Sequence, residues 1–116
     1  MQTDFDQFVQ LLRREIPDCK IVEFQARSLE TLKGVMLTIA EAGLIQTLWN
    51  VLEHWISRHT NASIKISYKS ADGKFIEVTY NKVNQRKVEE ILSRNPPDLS
   101  KPTKLILPKN SSYSET

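Results

Sequence analysis

The sequence predicts a small α+β domain with the element order α-β-α-β-β-α. We expect a three-stranded, mainly antiparallel sheet with the helices packed on one face. Two patterns support this prediction: apolar residues recur at helical spacing before residue 60, and apolar and polar residues alternate from Ile64 to Tyr80. The third observation is size, because 116 residues with 40% apolar side chains suit one globular domain with its own core. We assign residues 1–95 to this domain and residues 96–116 to a C-terminal tail.

The first predicted helix runs from Asp4 to Ile16. Its apolar residues repeat at the spacing of one helical face, at Phe5, Phe8, Val9, Leu12 and Ile16. Pro17 ends the helix, because the residue before a proline is disfavoured in helical geometry. The β-branched and aromatic run from Ile21 to Phe24 then predicts a strand of about six residues.

A second helix is predicted from Leu29 to Arg58, with Ser28 as its N-cap. Its apolar spacing stays helical for about 28 residues, and a straight helix of that length would measure about 42 Å. A domain of this size does not comfortably cover such a length. We therefore expect a kink, a change of direction or a short loop near Ala42-Gly43. The alternative is one long helix that projects into a partner.

The sharpest local prediction is a β-hairpin. The apolar sides of its two strands coincide in one register, with the pairs Ile64–Tyr80, Ile66–Val78 and Tyr68–Ile76. This register requires a three-residue loop, Ala71-Asp72-Gly73, in which Gly73 is left-handed and Ser70 pairs with Lys74. The outer side of the hairpin then carries polar residues and one exposed aromatic ring, Phe75.

A short third helix follows the hairpin. Asn84 is its predicted N-cap, and Pro96-Pro97 closes it. Its inner face carries Val88, Ile91 and Leu92. In the tail, Pro102 and Pro108 bracket an apolar island, for which we predict a short strand at 104–107. Such a strand can add to an exposed sheet edge, on its own domain or on a partner.

Composition and charge restrict the functional classes. The formal net charge of +2 combines −3 over residues 1–56 with +5 over residues 57–116. A basic C-terminal half can meet an anionic partner, although lysines scattered over solvated strands give the same count. No window has the pattern of a signal sequence or a membrane span, and the single Cys19 excludes an intrachain disulfide framework. We expect a cytoplasmic protein that does not bind membranes.

The sequence contains no recognisable catalytic motif. His54 and His59 are five residues apart rather than the four of a helical metal-binding pair, and phosphate-binding glycine motifs are absent. Cys19 has no evident base partner. We therefore predict no catalytic residues, no cofactor and no metal ligands, and we expect that the protein is not an enzyme.

The residues that remain for function are suited to contacting another molecule. Trp49 lies at the edge of the apolar stripe of the second helix, where it can anchor a partner or pack at the rim of the core. The outer side of the hairpin and the apolar island supply the other candidates. The predicted partner-binding residues are Trp49, Lys69, Lys74, Phe75, Leu105, Ile106 and Leu107.

About half of the chain resembles the effector-associated constant component family, which comprises small proteins of bacterial conflict and immune-like signalling systems. The resemblance covers a glycine-leucine opening, spaced leucines, a Trp-hydrophobic pair followed by a basic residue, a strand, an Asp-Gly turn, a second strand and a short helix. These features fall on Gly43, Leu44, Leu48, Trp55, Ile56, Arg58, Ile64, Ile66, Asp72, Gly73, Ile76, Val78, Val88 and Leu92. Residues 1–42 match only in general layout, and the tail after Asn95 lies outside the pattern.

The resemblance implies a non-catalytic adaptor or regulatory protein. Its partner would be a variable effector or sensor protein of the same antiviral defence or signalling system, and self-association is left open. The alternative is a nucleic-acid-binding module that uses the basic outer side of the hairpin, with Lys65, Lys69, Lys74 and Phe75. We expect a protein partner rather than nucleic acid, because lysines scattered over solvated surfaces also explain the positive charge of the C-terminal half.

Overall fold

The computed structural model describes residues 4–26, 32–39, 41–59 and 62–107. These residues form three helices and one five-stranded antiparallel sheet. In chain order the elements are α1 (Asp4–Glu15), β1 (Lys20–Ala26), β2 (Leu32–Thr38), α2 (Gly43–Arg58), β3 (Ser63–Lys69), β4 (Phe75–Asn81), α3 (Gln85–Arg94) and β5 (Thr103–Leu107). The strands lie in the order β1-β2-β5-β3-β4. The α+β class is confirmed, whereas the predicted three strands and their order are wrong.

The first helix and the first strand agree with the prediction. The predicted apolar side of α1 is buried, at Phe5, Phe8, Val9 and Leu12. The helix continues to Ile16, whose N–H donates to the Leu12 carbonyl at 2.8 Å. Pro17 then ends it, since proline carries no N–H for a further turn. β1 follows where the β-branched and aromatic run predicts a strand.

The predicted helix from Leu29 to Arg58 is wrong in its first part. Residues Leu32–Thr38 form β2, which pairs antiparallel with β1. The helix α2 begins only at Gly43. The expected break near Ala42-Gly43 is therefore present, but it separates a strand from a helix, and the single long helix is excluded.

The segment Leu32–Thr38 fits a helical pattern for a physical reason. Val35 and Leu37 are buried alternate residues of a strand, yet their spacing from neighbouring apolar residues also fits a helix. A short apolar run satisfies both periods, so periodicity alone does not separate them. Gly34 does not separate them either, because glycine weakens the interior of a helix and of a strand to a similar extent.

The hairpin register is confirmed. The pairs Ile64–Tyr80, Ile66–Val78 and Tyr68–Ile76 are those that the sequence predicts. The Ser70 N–H donates to the Lys74 carbonyl at 2.8 Å, which closes the predicted three-residue loop. Gly73 has a φ of +91°, a left-handed conformation that side chains disfavour, so the requirement for glycine is also confirmed.

The third helix begins at the predicted place, but Asn84 does not cap it through its side chain. The Asn84 amide instead stabilises the turn before the helix. Its oxygen accepts the Asn81 N–H at 2.9 Å, and its nitrogen donates to the Thr79 carbonyl at 2.7 Å. Val88 and Leu92 are buried on the inner face of α3.

The apolar island forms β5, which is one residue longer than the predicted strand at 104–107. β5 lies inside the sheet, between β2 and β3, rather than at an exposed edge. The segment that leads into it is held against the hairpin, where the Asp98 N–H donates to the Lys69 carbonyl at 2.8 Å. A segment that the sequence assigns to the tail thus completes the sheet.

All three described helices cover the same face of the sheet. Their buried residues form one core cluster with the inward side chains of the strands. Within it, Leu105 is fully buried and pairs with Val35 of β2 and Ile66 of β3. Phe8 of α1 meets Trp55 of α2 edge to face, with ring centroids 5.2 Å apart.

The second face of the sheet carries no helix among the described residues, and we call it the open face. Because side chains alternate along a strand, one residue in two points to it. These residues include Lys20, Val22, Phe24, Gly34, Met36, Thr38, Lys65, Ser67, Lys69, Phe75, Glu77, Thr79, Lys104 and Ile106. None of the described helices has the length and apolar character that a membrane crossing requires.

Candidate functional site

The strand register aligns the side chains of the open face in rows. One row crosses all five strands and contains Val22, Met36, Lys104, Ser67 and Glu77. The next row contains Phe24, Gly34, Ile106, Lys65 and Thr79. The open face is therefore apolar on the side of β1 and β2 and basic around β5 and β3.

Apolar side chains on the open face remain in contact with solvent. Val22 is 43% exposed and Phe75 is 68% exposed. Among the described residues, one further large apolar side chain is exposed, Val83 at 96%, and it lies outside the sheet. Two of the three exposed large apolar residues therefore share one face, with Val22 on β1 and Phe75 on β4 at opposite edges of the sheet.

A shallow depression of about 370 Å³ lies on the open face beside Phe75. Its floor is formed by β3 and β5, and its rim by the turn that leads into β5. The lining residues are Ser67, Tyr68, Lys69, Phe75, Glu77, Lys101, Pro102, Lys104 and Ile106. The depression combines apolar walls with lysines, so it can accept an apolar side chain whose neighbours are negatively charged.

The charges on the open face are unevenly compensated. The Lys65 ammonium lies 3.1 Å from the Glu77 carboxylate, which also accepts the Ser67 hydroxyl at 3.3 Å. Within the part of the chain that the structure describes, Lys69 and Lys104 form no ion pair. Their positive charge is directed to solvent around the depression.

The tip of the hairpin is organised around Asp72. Its pKa is lowered, mainly because the Ser70 hydroxyl donates a hydrogen bond to its carboxylate and further because of Lys74. The Lys74 ammonium lies 3.8 Å from this carboxylate. Lys74 is thus engaged with the turn and is less free than Lys69 to contact another molecule.

The structure brings together three of the predicted partner-binding residues. Lys69, Phe75 and Ile106 all lie on the open face and line the same depression. Lys74 lies next to them at the tip of the hairpin and is exposed. Trp49 lies on the other side of the sheet, half-buried in the helical layer, with its ring centroid 6.5 Å from that of Tyr68.

Two predicted partner-binding residues need correction. Leu105 and Leu107 are buried in the chain's own core, because β5 lies inside the sheet and both side chains point towards the helices. They contribute to folding and offer no accessible surface. Of the three predicted residues of the apolar island, Ile106 alone reaches the open face, where it is half-buried.

Several residues of the open face were missed by sequence reasoning, among them Val22, Met36 and Lys104. Lys104 could not be connected with the hairpin, because nothing local shows that β5 pairs with β3. Met36 was assigned to a helix. The alternation of Val35 and Leu37 with their neighbours was the available indication that this segment is a strand whose other side faces out.

A second depression, of about 340 Å³, lies between α1 and α2. Its charged and imidazole groups already have partners: the Arg14 guanidinium lies 3.1 Å from the Glu15 carboxylate, and the His54 ring lies 3.3 Å from the guanidinium of Arg58, outside the depression. Among the described residues, no three His, Cys, Asp or Glu side chains are grouped so that they could hold a metal ion.

Cys19 is the one thiol of the chain. It is buried, and its sulfur donates to the Thr38 carbonyl at 3.4 Å. Burial raises the pKa of the Cys19 thiol, which disfavours the reactive thiolate. The thiol therefore behaves as a small apolar core residue.

Comparison of the chain with protein-family models, with curated proteins and with solved structures returned no match.

Proposed function

We propose that the chain is a non-catalytic, cytoplasmic interaction component that binds another protein through its open face. The observation that carries this proposal is the exposure of Phe75, at 68%, on a sheet face that no described helix covers. Exposed apolar surface bordered by polar residues is typical of interaction sites, and Phe75 lines the same depression as Pro102, Ile106 and the surrounding lysines.

The arrangement of the open face supports binding rather than chemistry. Its strands form a rigid surface, and Phe75 beside the depression supplies the kind of aromatic anchor that carries much of the energy of protein interfaces. Lys69 and Lys104 would form the polar rim around it. Their charges favour orientation and rapid encounter with a partner more than affinity.

The resemblance described above supports the biological setting of the proposal. It suggests an adaptor or regulatory protein that accompanies an effector or sensor protein of a bacterial conflict, antiviral defence or signalling system. The hairpin that carries Phe75 belongs to the part of the chain that bears this resemblance. The proposed partner is therefore another protein of the same system.

A nucleic-acid-binding module is less well supported. Proteins that bind single strands without reading their sequence stack successive bases on exposed aromatic rings. Among the described residues of the open face, Phe75 is the one exposed aromatic ring, because Phe24 is half-buried. Stacking of successive bases requires more than one such ring. Of the hairpin lysines, Lys65 and Lys74 already lie next to carboxylates.

The experiment that tests this proposal is affinity capture from cells that contain the whole system. We expect wild-type protein to retain a specific protein partner and Phe75→Ser to lose it, because the substitution removes the exposed anchor. Val83→Ser is the matched control, since it removes an even more exposed apolar residue that lies outside the sheet. Retention of the partner by Phe75→Ser would contradict the proposal.

A further inference from the structure

We propose that the segment bound by the open face is an acidic, extended peptide of the partner protein. Two of its carboxylates would lie against Lys69 and Lys104, and an apolar side chain next to them would enter the depression between Phe75 and Ile106. This inference rests on the proposed function and names the chemistry of the partner at the same site.

The charge of the open face favours an acidic ligand. The strand residues that point to it include four lysines, Lys20, Lys65, Lys69 and Lys104, and one carboxylate, Glu77. Glu77 is already occupied by Lys65 and by the Ser67 hydroxyl. An approaching anion therefore meets uncompensated positive charge, which attracts it over roughly a Debye length.

The spacing of two of the uncompensated lysines, Lys69 and Lys104, favours an extended chain. Lys104 pairs directly with Ser67, and Lys69 lies two residues further along β3. Such diagonal neighbours on adjacent strands are about 7–8 Å apart. In an extended peptide, side chains two residues apart point the same way and are separated by about 7 Å. Acidic residues at alternate positions therefore match the two lysines.

The depression supplies the apolar part of the recognition. It measures about 370 Å³ and is walled by Phe75, Pro102 and Ile106. In an extended peptide, an apolar side chain two positions beyond the carboxylate that lies nearer to the depression points to the same side as both carboxylates. The site thus fits a segment in which acidic and apolar residues share one side.

The test uses three fluorescent probes in a binding titration. The first is a synthetic peptide with glutamates at two alternate positions and leucine two positions further, separated by serines. The second is the same peptide with glutamine in place of glutamate, and the third is a single-stranded oligothymidylate. We expect the acidic peptide to bind, the glutamine peptide to bind at least about tenfold more weakly, and salt to weaken the acidic peptide's binding.

Charge reversal locates the contact. The double variant Lys69→Glu, Lys104→Glu should bind the acidic peptide at least about tenfold more weakly than wild type. The control is Lys82→Glu, Lys87→Glu, which changes the net charge equally at two exposed lysines outside the sheet and should bind as wild type does. Circular dichroism spectra of both variants should match that of wild type, because all four side chains are exposed.

Three results would overturn the inference: equal binding of the glutamine peptide, equal weakening by the control variant, or tighter binding of the oligothymidylate than of the acidic peptide. These results leave the proposed function standing if capture of a protein still depends on Phe75. Loss of that dependence would remove the proposed function itself, whatever the peptides do.

Discussion

Gly34 shows how closely neighbouring strands approach at the open face. A Cβ atom at this position would lie 2.7 Å from the Leu105 carbonyl oxygen and 2.7 Å from the tip of the Phe24 ring. The carbonyl belongs to the backbone of β5 and cannot move without disturbing two strand pairings. The Phe24 ring thus lies over the space that a side chain would occupy.

We expect Gly34→Ala to lower the free energy of unfolding by about 2 kcal/mol, because overpacking a tight site forces neighbouring groups to shift. Gly43→Ala is the matched control, since a Cβ there meets nothing within 4 Å and alanine favours a helix. Urea denaturation measures both. Equal stability of the two variants would show that β2 and β5 do not approach as described.

Because its hydroxyl is buried, Tyr68 should make the folded chain less stable at high pH. Burial raises its pKa from 10.0 to about 12, so the folded chain keeps a proton that the unfolded chain releases. This contribution to stability is present below about pH 10 and is lost as the pH rises towards 12. Burial raises the pKa of Tyr80 as well, which acts in the same direction.

Tyr68→Phe should therefore reduce the loss of stability between about pH 10 and 12, measured as the urea midpoint at each pH. At neutral pH the same variant should be about 1 kcal/mol less stable, because the Tyr68 hydroxyl donates to the Asn95 carbonyl. An identical fall in midpoint for wild type and variant would contradict the burial of this hydroxyl.

Among the elements, β5 connects the two halves of the sheet. It pairs with β2 on one side and β3 on the other, so without it the β1–β2 pair and the β3–β4 hairpin share no strand pairing. Leu105→Ala removes a fully buried side chain from this strand and should cost about 3 kcal/mol in the free energy of unfolding.

Lys104→Ala is the control for β5, since it alters the neighbouring residue on the exposed side. It should change the free energy of unfolding by less than about 0.5 kcal/mol. Thermal unfolding followed by circular dichroism compares the two variants. A small effect of Leu105→Ala would mean that β5 is not an interior strand.

The elements differ in how far the sequence predicts them, and the reason is the range of the interactions that define them. The hairpin register follows from residues close in sequence, because Gly73 and the alternation of Ile64 to Tyr80 admit one solution. The place of β5 follows from contacts between residues about 40 to 70 positions apart, such as Leu105 with Val35 and Ile66. No local pattern encodes such contacts.

The same distinction applies to the candidate site. Lys69 and Phe75 could be predicted as outward-facing residues because they belong to the hairpin. Leu105 was assigned to a surface because its strand partners were unknown, and Lys104 was missed for the same reason. Predicting the open face requires the strand order, which depends on the packing of the whole chain.

At the scale of the whole molecule, the decisive feature is that the described helices cover one face of the sheet and leave the open face without a helix. Helices and strands form two layers around one core, in a body with extents of 40 × 28 × 27 Å. A two-layer domain normally leaves a polar outer sheet face in water. Here that face carries two exposed apolar side chains, Val22 and Phe75, and Phe75 lies directly opposite Lys69, which forms no ion pair among the described residues. This departure supports its proposed role in binding.

The most direct test of this central claim is the affinity of the purified chain for the protein that it captures, measured by titration calorimetry. Wild type, Phe75→Ser and Val83→Ser would be compared. We predict about 30-fold weaker binding for Phe75→Ser, because loss of an aromatic anchor costs about 2 kcal/mol, and unchanged binding for Val83→Ser. Unchanged affinity of Phe75→Ser would contradict the account.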